Sequence, residues 1–209
     1  MKHRMLIKSI KCIYKVIICS IFFYVNYIGT AMAYEEPQYK IIKSTGVYEI
    51  RYYEDRAAIR TLQASGEDRA FRRLFKYISG ANQSSLKITM TTPVIQSDEG
   101  NGLVMHFFLP KNYSVQNAPL PESDSVEVVT IKRGFYAVLK YSGRSTIKNY
   151  EKHVALLKDV LNRDGAIMRS DPIMARFNGP FTPFFYAEMK QCIVWNENSL
   201  GLGLKICIM

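Results

Sequence analysis

The sequence predicts an α+β fold: an antiparallel β-barrel, closed or half-closed, of about eight strands in two pseudo-repeated halves, each carrying one α-helix. Three observations predict it. Short segments alternate apolar and polar residues, two longer segments carry apolar residues at helical spacing, and the order of these elements occurs twice. A barrel of this size either fills its centre with side chains or leaves room for one small ligand.

The first 33 residues differ from the rest and are predicted to be a secretory signal peptide. Basic residues come first, an uncharged and mostly apolar run starts at Val16, and the segment ends at Ala31-Met-Ala33. This is the arrangement of a cleaved export signal. We expect cleavage after Ala33, a mature domain over residues 34–209, and a secreted or periplasmic location. The run is also long enough for an uncleaved membrane anchor, which is the alternative.

Charge and cysteine content narrow the classes of partner. Without its first 33 residues the chain has 23 basic and 18 acidic residues, a net charge of about +5. This charge is diffuse, and no run of Lys and Arg interleaved with aromatic residues follows, so we expect no nucleic-acid partner. Cys192 and Cys207 can form a disulfide, but one such pair cannot scaffold a domain of this size.

The first half of the mature chain shows the order strand, strand, helix, strand, strand. A polar lead over residues 34–43 comes first, and a polar hairpin loop is predicted over residues 96–102. The helix begins near Ser65, where Asp68 completes a capping pattern, and ends at Gly80, since glycine tolerates the left-handed backbone that closes many helices. Strands are predicted over residues 47–53, 57–64, 87–94 and 103–109.

The second half repeats this order after a connection that contains Pro119 and Pro121. Its helix follows Ser142-Gly143, as the first helix follows Ser65-Gly66, and ends near Gly165. The repeat rests on the order of elements and on these Ser-Gly pairs rather than on residue identity. Strands are predicted over residues 125–132, 135–141, 174–177 and 187–195.

The first helix has the features of a binding surface. Phe71 and Phe75 belong to a wide apolar arc, and Arg72 and Lys76 lie beside it. An apolar surface with cations next to it suits a flat, apolar, anionic ligand. A core face beside a solvated face gives the same pattern and is the more ordinary interpretation.

The mature sequence lacks the residues of common catalytic sites. Only His106 and His153 remain after removal of the signal, and each suits packing or the surface better than catalysis. There is no pair of His at metal-binding spacing, no Cys-x-x-Cys and no Gly-x-Ser-x-Gly. We therefore expect no catalytic residues, no metal site and a protein that is not an enzyme.

Several segments of the chain resemble the SOUL haem-binding protein family, and the chain is identified as a member. They follow in order over most of the mature sequence, whereas residues 196–209 form a tail that matches nothing. The segments are Tyr48-Glu-Ile-Arg51, Tyr77-Ile-Ser-Gly-Ala-Asn82, Lys87-Ile-Thr-Met-Thr-Thr-Pro-Val94, Phe108-Leu-Pro-Lys-Asn-Tyr113, Pro119-Leu-Pro121, the stretch from Ala137 to Gly143, and Ala175-Arg-Phe-Asn-Gly-Pro-Phe-Thr-Pro183.

This resemblance implies a distorted barrel of two four-stranded sheets, each with a helix, and the binding of haem or free porphyrin. It implies a shallow apolar pocket between the first helix and the loop before the last strand. Phe71, Phe75 and Phe181 would lie in that pocket, with Arg72 and Lys76 close to the propionates.

The resemblance also bears on the iron ligand and on function. Some members have a His, proposed as an iron ligand, where this chain has Tyr52. A tyrosinate can hold ferric haem, so Tyr52 is the candidate axial ligand; an ordinary strand aromatic is the alternative. The implied function is non-catalytic binding or transport of a tetrapyrrole, with no stable membrane span after signal cleavage. The alternatives are a binding module for another small hydrophobic molecule and a tetrapyrrole-modifying enzyme.

Overall fold

A computed structural model of the chain describes Lys15 and residues 34–63, 69–100, 102–143, 146–166, 171–177 and 191–196. The chain divides into two compact units, Met1–Ala33 and Tyr34–Met209, and every element below belongs to the second. In the described ranges no helix has both the length and the apolar character needed to cross a membrane. The assignment of residues 1–33 as a signal peptide stays a prediction.

Within these ranges the protein has nine strands and two helices, which confirms the α+β class. The elements are β1 (Tyr39–Ser44), β2 (Glu49–Tyr53), β3 (Arg56–Leu62), α1 (Ala70–Ile78), β4 (Val94–Asp98), β5 (Leu103–Phe108), β6 (Glu127–Ile131), β7 (Gly134–Tyr141), α2 (Ile147–Arg163), β8 (Ile173–Arg176) and β9 (Gln191–Asn196).

The strands pair antiparallel in the order β1-β2-β7-β9-β8-β4-β5-β3-β6. The two parts of the sheet, β1-β2-β7-β9-β8 and β4-β5-β3-β6, meet through a short antiparallel ladder between β8 and β4 that is centred on Ile95 and Ala175. In the described part of the chain β1 and β6, the outermost strands, do not pair with each other. Closure into a barrel is therefore not confirmed.

The strand order shows the repeat that the sequence predicts. The first half contains β2, β3, α1, β4 and β5, and the second contains β6, β7, α2, β8 and β9. Exchanging the two halves turns the order β2-β7-β9-β8-β4-β5-β3-β6 into the same order read backwards. β1, which pairs with β2, is an addition to the repeat.

Alternation along the strands separates two faces of the sheet. Ile59 and Phe107 pack with the buried face of α1, whereas their neighbours Ala58 and Phe108 belong to a different apolar cluster. Leu139 packs with α2 in the same way, and its neighbour Val138 joins the cluster of Ala58 and Phe108. Because successive side chains of a strand point to opposite faces, this shared cluster lies on the face away from both helices.

The ends of α1 agree only partly with the sequence prediction. The helix begins at Ala70 after Arg69, and the predicted capping residues Ser65 and Asp68 lie outside the described residues. At the other end the prediction is confirmed: the helix stops at Ile78, and Gly80 follows with a φ of 116°, in the left-handed region.

The segment from residue 87 to Pro93 is not the strand that the sequence predicts. β4 begins at Val94 and continues to Asp98, through part of the predicted hairpin loop. The Ile88 N–H donates to the Ile78 carbonyl at 2.8 Å, and the Thr92 N–H donates to the Glu35 carbonyl at 3.0 Å. These groups bond to a helix end and to the lead segment, so an alternating pattern alone did not identify the paired strand.

β1 lies in the segment that the sequence analysis treats as a polar lead. Its six residues are all exposed, including Ile41 and Ile42. An edge strand that buries neither face carries no alternation of apolar and polar residues, so hydrophobic pattern could not reveal it.

Candidate ligand-binding site

A cavity of about 300 Å³ lies on the face of the sheet away from the helices. Residues of the strands β1 to β8 contribute to its wall. Strands from both ends of the sheet can line one cavity only if the sheet curls around it. The volume is at the lower limit of the range for small-molecule pockets, roughly 300–1,000 Å³.

The wall of the cavity combines apolar side chains with a positive charge. Tyr53, Ile95, Phe108, Tyr136 and Val138 form much of its apolar part. Among the described residues, the charged side chains in the wall are four basic and two acidic ones: Arg51, Arg56, Arg60, Lys132, Glu36 and Glu99. An anion is therefore the charged ligand that this wall favours.

Two of the three arginines have carboxylate partners. The guanidinium of Arg51, whose side chain is 2% exposed, donates to Glu49 through Nε at 2.7 Å and to the Tyr53 hydroxyl at 3.2 Å. Arg60 donates to Glu127 and to Glu99, each at 2.9 Å. These contacts hold both arginines in the wall and satisfy their charge.

Arg56 differs because no carboxylate within the described residues contacts it. Its guanidinium carbon lies 4.6 Å from the centre of the Tyr53 ring and 4.1 Å from that of Phe108. Its Nε is buried and has no hydrogen-bond partner among the described residues. Burial lowers the pKa of Arg56 to about 10, so the group is still charged at neutral pH.

His106 is a buried histidine in the wall of the cavity. Its Nε2 lies 3.3 Å from a carboxylate oxygen of Glu99, and its buried Nδ1 has no hydrogen-bond partner in the part of the chain that the structure describes. Burial, together with the charge of Arg60, lowers the pKa of His106 from its ordinary value of 6.5 to about 4. The imidazole is therefore neutral at pH 7, and Nε2 carries the proton that Glu99 accepts.

This histidine predicts a loss of stability in mild acid. Its folded pKa of about 4 is below the unfolded value of 6.5, so the unfolded chain takes up the proton first. The stabilisation is complete above pH 6.5 and disappears as the pH falls toward 4. Because of His106 alone, we expect the free energy of unfolding to be about 2 kcal/mol lower at pH 5 than at pH 8.

The measurement is urea unfolding at both pH values for the wild type and for His106→Gln. Glu49 and Asp164 also have lowered pKa values and lose stabilisation in acid, so the quantity of interest is the difference between the two proteins. Equal pH dependence of wild type and variant would contradict the assignment of His106.

A second surface lies on the outer side of α1. Phe75 is 45% exposed, and its ring is parallel to that of Phe71 within 13°, with centroids 6.0 Å apart. Phe71 in turn meets Phe107 of the core edge-on at 5.1 Å. Arg72 and Lys76 are exposed beside the rings, and in the described ranges neither side chain makes an ion pair or a hydrogen bond. We call Phe71, Arg72, Phe75 and Lys76 the α1 platform.

The structure thus brings together four of the residues predicted for the pocket, but on a surface separate from the cavity. No member of the α1 platform lines the cavity. Phe181 lies outside the described residues, as do the side chains of Cys192 and Cys207. Their predicted roles stay predictions.

Tyr52 lies away from the α1 platform. It is on β2, which pairs with β1 and β7, whereas α1 packs on β3 and β5. Its ring packs against Phe135 at 5.1 Å, and its hydroxyl is 3.4 Å from Glu54. In the described ranges no contact joins Tyr52 to the platform or the cavity, and no cluster of three His, Cys, Asp or Glu forms that could hold a metal ion.

Sequence reasoning did not identify Arg56 or the cavity. One signal was present: Arg51 and Arg60 occur inside strands whose other residues are largely apolar. Arg51 and Tyr53 are two positions apart and therefore share a face of β2. Arginines at such positions indicate either paired buried charges or a site for an anion.

The fold and the cavity together define a class: a duplicated α+β protein with a curled antiparallel sheet and an internal site of ligand size. A family model described as SOUL heme-binding protein matches residues 34–188. The chain belongs to this family, which confirms the resemblance seen in the sequence. No protein of curated function matches the chain.

Solved structures of other proteins share the fold. The C-terminal domain of EcmrR has a TM-score of 0.54 at 10% identity and covers 76% of this chain and 96% of its own. A hydrolase encoded by lin2189 from Listeria innocua has a TM-score of 0.53 at 10% identity and covers 74% of this chain and 93% of its own. At these identities the similarity shows the fold alone.

Proposed function

We propose that this protein binds haem or a related tetrapyrrole on the α1 platform and carries it unchanged. Family membership supports the class of ligand, since the description of the family names haem. The observation that carries the proposal is the exposure of Phe75 beside two cations that have no partner in the described ranges.

The geometry of the platform suits a flat ligand with carboxylates at its edge. Phe71 is fixed against the core by Phe107, and Phe75 lies parallel to it and faces outward. A macrocycle packed on Phe75 would remove apolar area from water on both sides. Arg72 and Lys76 are one turn apart on the adjacent side of the helix, where they can pair with propionates.

The chemistry of these side chains supports a carrier role. Two phenyl rings provide apolar packing, and a guanidinium and an ammonium provide charge pairing, which are the interactions that binding requires. We also propose that the protein works in the periplasm or outside the cell, because residues 1–33 have the composition of an export signal.

The test is titration of the purified protein with hemin and with iron-free protoporphyrin, followed by the Soret band. We expect micromolar binding, weakened about tenfold by Phe75→Ala through loss of ring burial. Lys76→Glu should weaken it further by placing a negative charge beside the propionates. The matched control is Leu156→Ala, which removes an exposed apolar side chain from α2 and should leave binding unchanged.

Three results would count against this proposal or refine it. Absence of a Soret shift at micromolar hemin would refute tetrapyrrole binding. Unchanged affinity in both platform variants would refute the site. Equal affinity for hemin and protoporphyrin would show that iron ligation, by Tyr52 or another residue, adds nothing, whereas a preference for hemin that Tyr52→Phe abolishes would assign the axial ligand.

A second candidate function is the binding of another small hydrophobic molecule, which the cavity favours. A thermal-shift screen separates the two, because the natural class of ligand should stabilise the folded protein most at equal saturation. A screen in which hemin is not among the best stabilisers would favour this second candidate.

A further inference from the structure

We propose that the cavity on the helix-free face of the sheet is a separate binding site for a compact organic carboxylate, an aromatic one above all, with Arg56 as its anchor. This inference does not rest on tetrapyrrole binding by α1. It rests on the contacts of the arginines in the wall and on the size and lining of the cavity.

The first step is the missing partner of Arg56. Burying a cation is costly unless an anion or hydrogen-bond acceptors compensate it. Arg51 has Glu49, and Arg60 has Glu99 and Glu127. Arg56 has two aromatic rings and a buried Nε with no acceptor, so the described protein supplies no anion for it. A ligand carboxylate in the cavity would complete the pair.

The second step is the surroundings of the guanidinium. Its carbon lies 4.6 Å from the centre of the Tyr53 ring and 4.1 Å from that of Phe108, and these rings attract the positive charge without replacing the hydrogen bonds of a carboxylate. A carboxylate can then accept two parallel hydrogen bonds in the plane of the guanidinium. The rings also exclude water from this contact, which strengthens it.

The third step is the body of the ligand. The wall beyond Arg56 is largely apolar and includes Ile95, Tyr136, Val138, Ile173 and Ala175. A volume of about 300 Å³ suits a compact molecule. Because Arg56 is a cation without an anionic partner among the described residues, an ammonium with the same body should be rejected.

The experiment is isothermal titration calorimetry of the full chain with three probes that share one body: 2-naphthoate, 2-naphthalenemethanol and 2-naphthylmethylammonium. We expect 2-naphthoate to bind at least tenfold more tightly than the alcohol, and the ammonium to bind weakest. In Arg56→Gln the preference for the carboxylate should disappear. Arg163→Gln, which removes an exposed arginine from α2, outside both the α1 platform and the wall of the cavity, is the matched control and should behave as wild type.

A second variant keeps the test valid if Arg56→Gln fails to fold. Ala175→Leu leaves Arg56 in place and fills part of the cavity from a buried position on β8, so binding of 2-naphthoate should fall at least tenfold. Equal binding of the carboxylate and the alcohol by wild type would overturn the proposal. So would a wild type that binds no 2-naphthoate at millimolar concentration, or a folded Arg56→Gln that keeps the preference. Hemin titration of these variants reports on the α1 platform alone, so either proposal can fail without the other.

Discussion

Replacement of Leu74 by Ala is expected to lower the free energy of unfolding by about 4 kcal/mol. Leu74 is fully buried on the inner face of α1, in a cluster with Ile59 and Phe107 of the sheet. Truncation removes apolar burial and leaves a hole that helix and sheet cannot both close. The measurement is urea unfolding followed by circular dichroism.

The adjacent residue provides the control. Phe75 is larger than Leu74 but 45% exposed, so Phe75→Ala should cost about 1 kcal/mol or less. This control also serves the hemin experiment, because it shows that a loss of affinity in Phe75→Ala does not come from unfolding. Similar losses of stability in both variants would contradict the orientation of α1 in which Leu74 faces the sheet and Phe75 faces outward.

Replacement of Asn82 by Ala is expected to cost about 3 kcal/mol. Asn82 is fully buried, and its side chain makes three hydrogen bonds to the backbone. Its amide nitrogen donates to the carbonyls of Tyr77 at 3.0 Å and Leu86 at 2.8 Å, and its oxygen accepts from the Leu86 N–H at 3.1 Å. Alanine would remove all three hydrogen bonds at the end of the helix that carries the platform. The Leu86 N–H and carbonyl would lose these partners, and the Tyr77 carbonyl would keep the hydrogen bond from the Gly80 N–H.

Two measurements check this prediction. Urea unfolding gives the stability, and hydrogen exchange of the Leu86 amide should become faster in the variant because that amide loses its acceptor. The control is Gln83→Ala. The side chain of Gln83 is exposed, and its backbone N–H, which donates to the Leu120 carbonyl, is unchanged in the variant, so stability and exchange should stay as in the wild type. A slow Leu86 amide in Asn82→Ala would contradict the role assigned to Asn82.

The fold was predictable where side-chain burial follows secondary structure. Leu74, Tyr77 and Ile78 are buried at helical spacing, and β5 is a short, mostly apolar run that is buried from Val104 to Phe108, so α1 and β5 were visible as patterns. β1 buries nothing and was missed. In residues 87–93 the N–H groups of Ile88 and Thr92 bond to the end of α1 and to the lead segment, which no pattern of apolar residues can reveal.

The α1 platform was predictable from the sequence, and the cavity was not. Phe71, Arg72, Phe75 and Lys76 are neighbours on one helix, so local spacing alone predicted that they share a surface. Arg56, Phe108 and Tyr136 come from three strands far apart in the sequence, and they line one cavity only because the sheet curls. Their meeting depends on tertiary structure, and single-sequence reasoning has no access to it.

The strand order has a consequence for how the two halves depend on each other. β2 belongs to the first half but pairs with β7 of the second, and β6 belongs to the second but pairs with β3 of the first. The first strand of each half of the repeat therefore pairs with a strand of the other half. If one half were expressed alone, its first strand would lack the partner strand that the other half supplies. The two halves of the repeat therefore depend on each other for a complete set of strand hydrogen bonds.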